Sequence, residues 1–181
     1  ILWDRKRETI VSNESSEILR MFNSAFNGLE GVDAELDLYP AGLRAEIDAV
    51  NQGVYADINN GVYRTGFAGT QEAYEEAYDA LFARLDELET KLGRNRYLVG
   101  NRITEADWRL FVTLVRFDAV YFTHFKCNRQ MIADFPNISN YLRELFQVGN
   151  VAETVNLRHI KQHWRISKVG QGILIKKKRK K

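Results

Sequence analysis

The sequence predicts a mostly α-helical protein of about five helices, entered through a β-hairpin and one further helix. Three observations predict it. From Leu43 to about Trp164, apolar residues recur at steps of three and four, the period of a helix with one buried face. The first eleven residues instead hold two short apolar runs around a charged stretch. Residues 28–42 gather Gly28, Gly31, Pro40 and Gly42 among acidic side chains, a linker composition.

Each element follows in order. Ile1, Leu2 and Trp3 face Thr9, Ile10 and Val11 across Asp4 to Glu8, which reads as a hairpin. Two strands cannot bury a face alone. The hairpin is therefore expected to lie on the helices that follow or, better, to edge a sheet whose other strands lie elsewhere. The polar run Ser12 to Ser16 opens a helix carrying Ile18, Met21 and Phe22, with Asn13 as the expected N-cap. After the linker, Leu43, Ile47, Val50, Val54 and Ile58 share one helix face. Ala73, Ala77, Leu81, Leu85, Leu88 and Leu92 share the face of a second helix, which ends at Gly93. A third, from Thr104, is apolar nearly all round (Trp108, Leu110, Phe111, Val112, Leu114, Val115, Phe117) and is expected at the centre of a bundle. Two shorter helices should run over Asn137 to Gln147 and Val151 to Trp164. Beyond Ser167 no helical pattern remains, and a disordered tail is expected.

Composition narrows the class. With 181 residues, 45% hydrophobic and 28% charged, the chain is long and apolar enough for a real core. One cysteine rules out an internal disulfide framework and favours a reducing, cytoplasmic setting. No apolar run approaches the ~18 residues of a membrane span, and no signal-peptide pattern opens the chain. The formal charge of +2 hides an asymmetry: Lys176 to Lys181 are six consecutive cations, and the rest of the chain carries −4. Nothing in the body therefore calls for nucleic acid.

Thr104 and Asp107 have the spacing of a capping box, with Ile103 placed to staple against Trp108. The segment YLVGN at 97–101 precedes it and a buried helix follows, an arrangement that resembles the capped central helix of the glutathione transferase C-terminal domain. Further blocks extend the likeness: TIVSNESSE at 9–17, NNGVY at 59–63, TQEAY at 70–74, LVRFD at 114–118, HFKC at 124–127 and VAETVN at 151–156. Together these resemble the glutathionyl-hydroquinone reductases, the xi-class, omega-like glutathione transferases, over roughly residues 1–166. The resemblance implies an all-α C-terminal domain at 43–166, a remnant of a thioredoxin-like glutathione-binding domain at 1–27, and a linker at 28–42. It implies glutathione as co-substrate, an aromatic hydroquinone-type substrate, and a homodimer. Metal, membrane and nucleic acid are not expected partners.

The residues around Asn13 have a physical reading of their own. Free N–H groups at a helix start favour an anion, and a neighbouring Glu14 can pair with an ammonium. The γ-glutamyl end of glutathione presents both groups on one carbon. The alternative is a capped helix with solvated polar residues. The resemblance assigns the glutathione role to Glu14 and Ser15. It likewise assigns Tyr63 to the aromatic substrate, together with a second tyrosine position that Trp164 occupies here. Trp164 keeps a stacking face but offers only an N–H donor. Both aromatics could equally be core residues.

Three features are weaker. His159 and His163 stand four apart, a ligand spacing, yet neither a third ligand nor an adjacent Glu accompanies them. Cys127 is expected to be a structural thiol, with Lys126 lowering its pKa modestly. In the family the catalytic cysteine sits in a Cys-Pro-Trp type motif that this sequence does not contain, so the nucleophile is expected upstream. Two readings of function follow: glutathione-dependent reduction of glutathionyl-hydroquinones, or a non-catalytic transferase-like interaction module with a basic targeting tail.

Overall fold

The computed structural model describes residues 1–166. The expected basic tail lies outside the described residues. Strands β1 (Leu2–Asp4) and β2 (Thr9–Ser12) pair antiparallel, with a bulge between Leu2 and Trp3. Asp4 caps the connecting turn by accepting from the N–H groups of Lys6 and Arg7. Ile1, Trp3, Ile10 and Val11 are all at least half exposed, so the hairpin does not bury its apolar face on the helices.

Helix α1 (Ser15–Phe22) follows. Its N-cap is Glu14, not Asn13. Glu14 holds the extended backbone a cap requires, and its own carboxylate accepts from the Ser16 N–H at 3.4 Å, closing the first turn. The linker is pinned at its far end, where Asn23 accepts from the Leu38 N–H and donates to Asp37.

The first long helix is composite: α2 (Arg44–Val54), a π turn at Tyr55–Asn59, and α3 (Gly61–Gly66). Helix α4 (Gln71–Leu92) starts at Thr70, whose hydroxyl accepts from the Ala73 N–H, and stops at Gly93. It buries Tyr74, Tyr78, Leu81, Phe82, Leu85 and Leu88 and packs against α3 and α7. Helix α5 (Glu105–Arg116) runs into a second π turn at Phe117–Tyr121 and the short α6 (Phe122–His124). Helix α7 (Pro136–Phe146) begins with proline at its first turn, where no N–H is missed.

The final helix divides. Between α8 (Val151–Thr154) and α9 (Leu157–Ile166), Val155 is extended and the Asn156 side-chain oxygen Oδ1 accepts from the His159 N–H, an N-cap that restarts the helix. The expectation of one helix missed this because Asn156 reads as an ordinary polar position within the period.

The core joins α2, α3, α4, α5 and α7. Ile47, Ile58, Leu81, Leu85, Leu98, Leu110 and Phe117 are fully enclosed in it. Helix α5 is not the all-round buried helix its composition predicts. Val112 is 48% exposed, and its side of α5 faces a cavity instead of a neighbouring helix. Among the described residues, no helix is long and apolar enough to cross a membrane.

Candidate functional site

The cavity, about 1030 Å³, lies between the start of α1, the α2–α3 segment, α5 and α9. Glu14, Ser15, Tyr63 and Trp164, the four residues singled out from the sequence, all line it. They come from three elements far apart in the chain, so only the fold brings them together.

At one end, the polar turn before α1 is held in a chain of hydrogen bonds. The Ser12 hydroxyl donates to Glu17 at 2.9 Å and accepts from the Glu14 N–H at 3.1 Å. Glu14 Oε1 accepts from the Ser16 N–H and hydroxyl, so the carboxylate stands beside the N–H groups that open the helix. A negative side chain next to a positive helix start can take both ends of a zwitterion.

At the other end is an aromatic cage. Tyr63 sits 6.0 Å from Trp164 and 5.8 Å from Tyr121, centroid to centroid. The Tyr63 and Tyr121 hydroxyls are 3.3 Å apart. Phe125 closes the cage from below, 5.0 Å from Trp164 and 5.5 Å from Tyr63. Burial, then the hydrogen bond to Tyr63, pushes the Tyr121 phenol well above its ordinary pKa, so it stays protonated and can donate. Sequence reasoning missed Tyr121. Its signal was obscured because the π turn at 117–121 shifts it off the face that a regular 3.6 period assigns; such turns recur at functional sites.

Between the two ends lies a charged wall that sequence reasoning also missed. Arg20 of α1 reaches Asp48 of α2 at 2.5 Å and Glu105 of α5 at 3.1 Å, and its guanidinium lies 4.2 Å over the Tyr39 ring. Glu105 also accepts from Asn51 at 2.8 Å and has Arg109 Nη2 at 3.3 Å. The Tyr39 hydroxyl, then Arg20, hold the Asp48 carboxyl below the usual carboxylate range. The network ties α1, which Glu14 caps and Ser15 opens, to the helical bundle. Asn51 Oδ1 and Arg109 Nε and Nη2 are buried there without a hydrogen-bond partner.

His163 stacks edge-on against Trp164 at 5.0 Å. Among the described residues, no three His, Cys, Asp or Glu side chains are grouped to hold a metal ion. Cys127 is fully buried, its thiol 3.8 Å from the Phe125 carbonyl oxygen. Burial pushes this thiol up, and only a contact with Thr65 opposes it; the modest lowering expected from Lys126 does not occur. The thiolate is the reactive form. In the folded chain Cys127 is therefore expected to alkylate with iodoacetamide at pH 8 on the order of 100-fold slower than in urea. Equal rates would show an accessible thiol.

Residues 71–144 match the family model of the glutathione S-transferase C-terminal domain. Two curated relatives match over 91% of this chain. The glutathionyl-hydroquinone reductase YqjG of Escherichia coli K12 is 54% identical, and PcpF of Sphingobium chlorophenolicum is 56% identical. The chain is similar to the glutathione transferases, and its residues 71–144 carry their C-terminal domain. Among them the xi class shares the chain's form: the xi transferase of Trametes versicolor superposes with a TM-score of 0.89 at 53% identity, covering 93% of this chain and 59% of that one. A glutathione-bound structure of YqjG superposes at 0.87, over 91% of this chain and 53% of that one. The chain spans about half the length of the curated relatives, 49% of YqjG and 52% of PcpF. The cavity therefore belongs to a glutathione transferase helical domain and the helix that leads into it.

Proposed function

We propose that this chain supplies the helical half of a glutathione-dependent reductase that removes glutathione from glutathionyl-hydroquinones. One observation carries the reading: a zwitterion-compatible helix start and an aromatic cage line the same cavity, which suits a conjugate of glutathione with an aromatic ring. The names of YqjG and PcpF and the glutathione in the YqjG structure support it. Glu14 and Ser15 hold the γ-glutamyl group, and Tyr63 and Trp164 hold the ring.

In the reaction a cysteine thiolate attacks the thioether sulfur. The carbon–sulfur bond breaks, the ring takes a proton and leaves as the hydroquinone, and the enzyme keeps a mixed disulfide. A second glutathione thiolate then displaces the enzyme sulfur, giving glutathione disulfide. Tyr121 or Tyr63 is placed to give a hydrogen bond to a phenolic oxygen. Cys127 is not this nucleophile, since it is buried and protonated. We assign the thiolate to the part of the relatives' length that this chain does not span. The same reading makes the protein a cytoplasmic homodimer, which size-exclusion chromatography with light scattering checks.

The direct test of the site is titration with glutathione by calorimetry. Glu14→Ala is expected to weaken binding about tenfold, the loss of one charge-assisted contact. Unchanged affinity would remove Glu14 from the site.

A further inference from the structure

The wall of α5 presents Arg109, Val112, Thr113 and Arg116 to the cavity. Arg109 faces Glu105, and Arg20 faces Glu105 and Asp48, so in that cluster two guanidinium groups meet two carboxylates. Arg116 stands apart. It ends α5, immediately before the π turn that carries Tyr121 into the cavity. One Nη donates to the Val112 carbonyl of its own helix, which folds the guanidinium back along the wall and leaves its other donors uncommitted. Among the described residues, no carboxylate lies within ion-pair distance of it.

A cation in this position acts on the aromatic end. Its field reaches the Tyr121 hydroxyl, where it opposes the upward push of burial. The cavity it lines also includes Val112, Trp108 and Trp164, a partly apolar setting in which a charge pair is screened less than in open water. A guanidinium also offers a planar pair of donors matched to a carboxylate.

We propose that Arg116 is the specificity-determining residue of the cavity, selecting aromatic rings that bear a carboxylate. The proposal rests on the reading of the cavity as the seat of a glutathione–aromatic conjugate and names its substrate class. Glu14 takes the glutathione end, the cage formed by Tyr63, Tyr121 and Trp164 takes the ring, and the ring carboxylate meets Arg116. An uncharged ring gains the stacking but leaves the guanidinium to water.

The test uses the full chain with gentisate, a hydroquinone carboxylate, and its methyl ester. Binding is followed by quenching of the cavity tryptophans, Trp108 and Trp164. The wild-type chain is expected to prefer gentisate by about tenfold. Arg116→Gln should bring the two ligands to parity with ester affinity unchanged, and Arg116→Lys should restore part of the preference. Arg64→Gln, which removes a cation paired with Glu76 outside the cavity, should leave the preference intact. No preference in the wild type, or the same preference in Arg116→Gln, overturns the proposal. Titration with glutathione is run in parallel, since this chain does not span the segment to which the thiolate is assigned. A carboxylate preference without glutathione binding counts against the reductase reading alone and leaves this one standing.

Discussion

Asp107→Ala is expected to cost about 4 kcal/mol of folding stability, a large part of what a domain of this size holds. The carboxylate is fully buried and serves four donors at once. Oδ1 accepts from the Leu98 N–H at 3.0 Å and the Tyr141 hydroxyl at 2.8 Å. Oδ2 accepts from the Thr104 N–H at 2.7 Å and the Thr104 hydroxyl at 3.0 Å. It thus caps α5, fixes the segment before it and docks α7. Alanine removes a cap worth about 1 kcal/mol. It also leaves buried donors without partners, at about 1–3 kcal/mol each. The isosteric Asp107→Asn separates these effects. Whichever way the amide turns, its NH₂ confronts either the Leu98 or the Thr104 backbone N–H, so one oxygen serves where two did. Asparagine should therefore cost about 2 kcal/mol despite its matched shape. Urea denaturation followed by circular dichroism gives both values. A loss under about 1 kcal/mol for alanine would mean that water replaces the carboxylate, against its complete burial.

Which parts of this were legible beforehand follows from how local each signal is. The capping box of Thr104 and Asp107 and the stop at Gly93 are encoded within four residues, and the sequence declares them. The bonds from Leu98 and Tyr141 to the same carboxylate are not local, and no spacing rule reveals them. Period-based reading also handled the core faces well, because Ile47, Val54 and Ile58 hold a repeat that the π turn after Val54 barely disturbs. It failed where an apolar helix face turns towards a cavity: Val112 looks like core in the sequence and is half exposed in the fold. Glu14 and Ser15 were visible as a polar run before a helix, but the cap fell one residue later than expected, since Glu14 closes the turn with its own carboxylate. Tyr121 and the network of Arg20, Asp48 and Glu105 needed the packing of three separate elements before they meant anything.

Gly66→Ala should disable the aromatic end of the cavity while costing about 3 kcal/mol. A methyl group built on Gly66 would lie 2.3 Å from Cγ of Phe125 and 2.7 Å from both Cδ atoms, well inside contact distance. The ring cannot swing away freely. It is 1% exposed and packs against Phe67 at 5.0 Å, Tyr121 at 5.4 Å, Tyr63 at 5.5 Å and Trp164 at 5.0 Å. Three of those four rings line the cavity, so displacing Phe125 moves the cage itself. On the proposed reading of the site, gentisate binding should fall with stability, whereas glutathione binding at Glu14 should survive in the folded fraction. Gly69→Ala is the control: nothing lies within 4 Å of the place a methyl group would take there, and its effect should stay within about 1 kcal/mol. The decisive comparison is the double variant. Phe125→Ala alone should cost about 4 kcal/mol by opening a void in the cluster. In the Gly66→Ala background the same truncation also relieves the clash, so the double variant should be more stable than the sum of the single losses by about 2 kcal/mol. Strict additivity would show that Gly66 and Phe125 do not share the space, and that the cage is held from elsewhere.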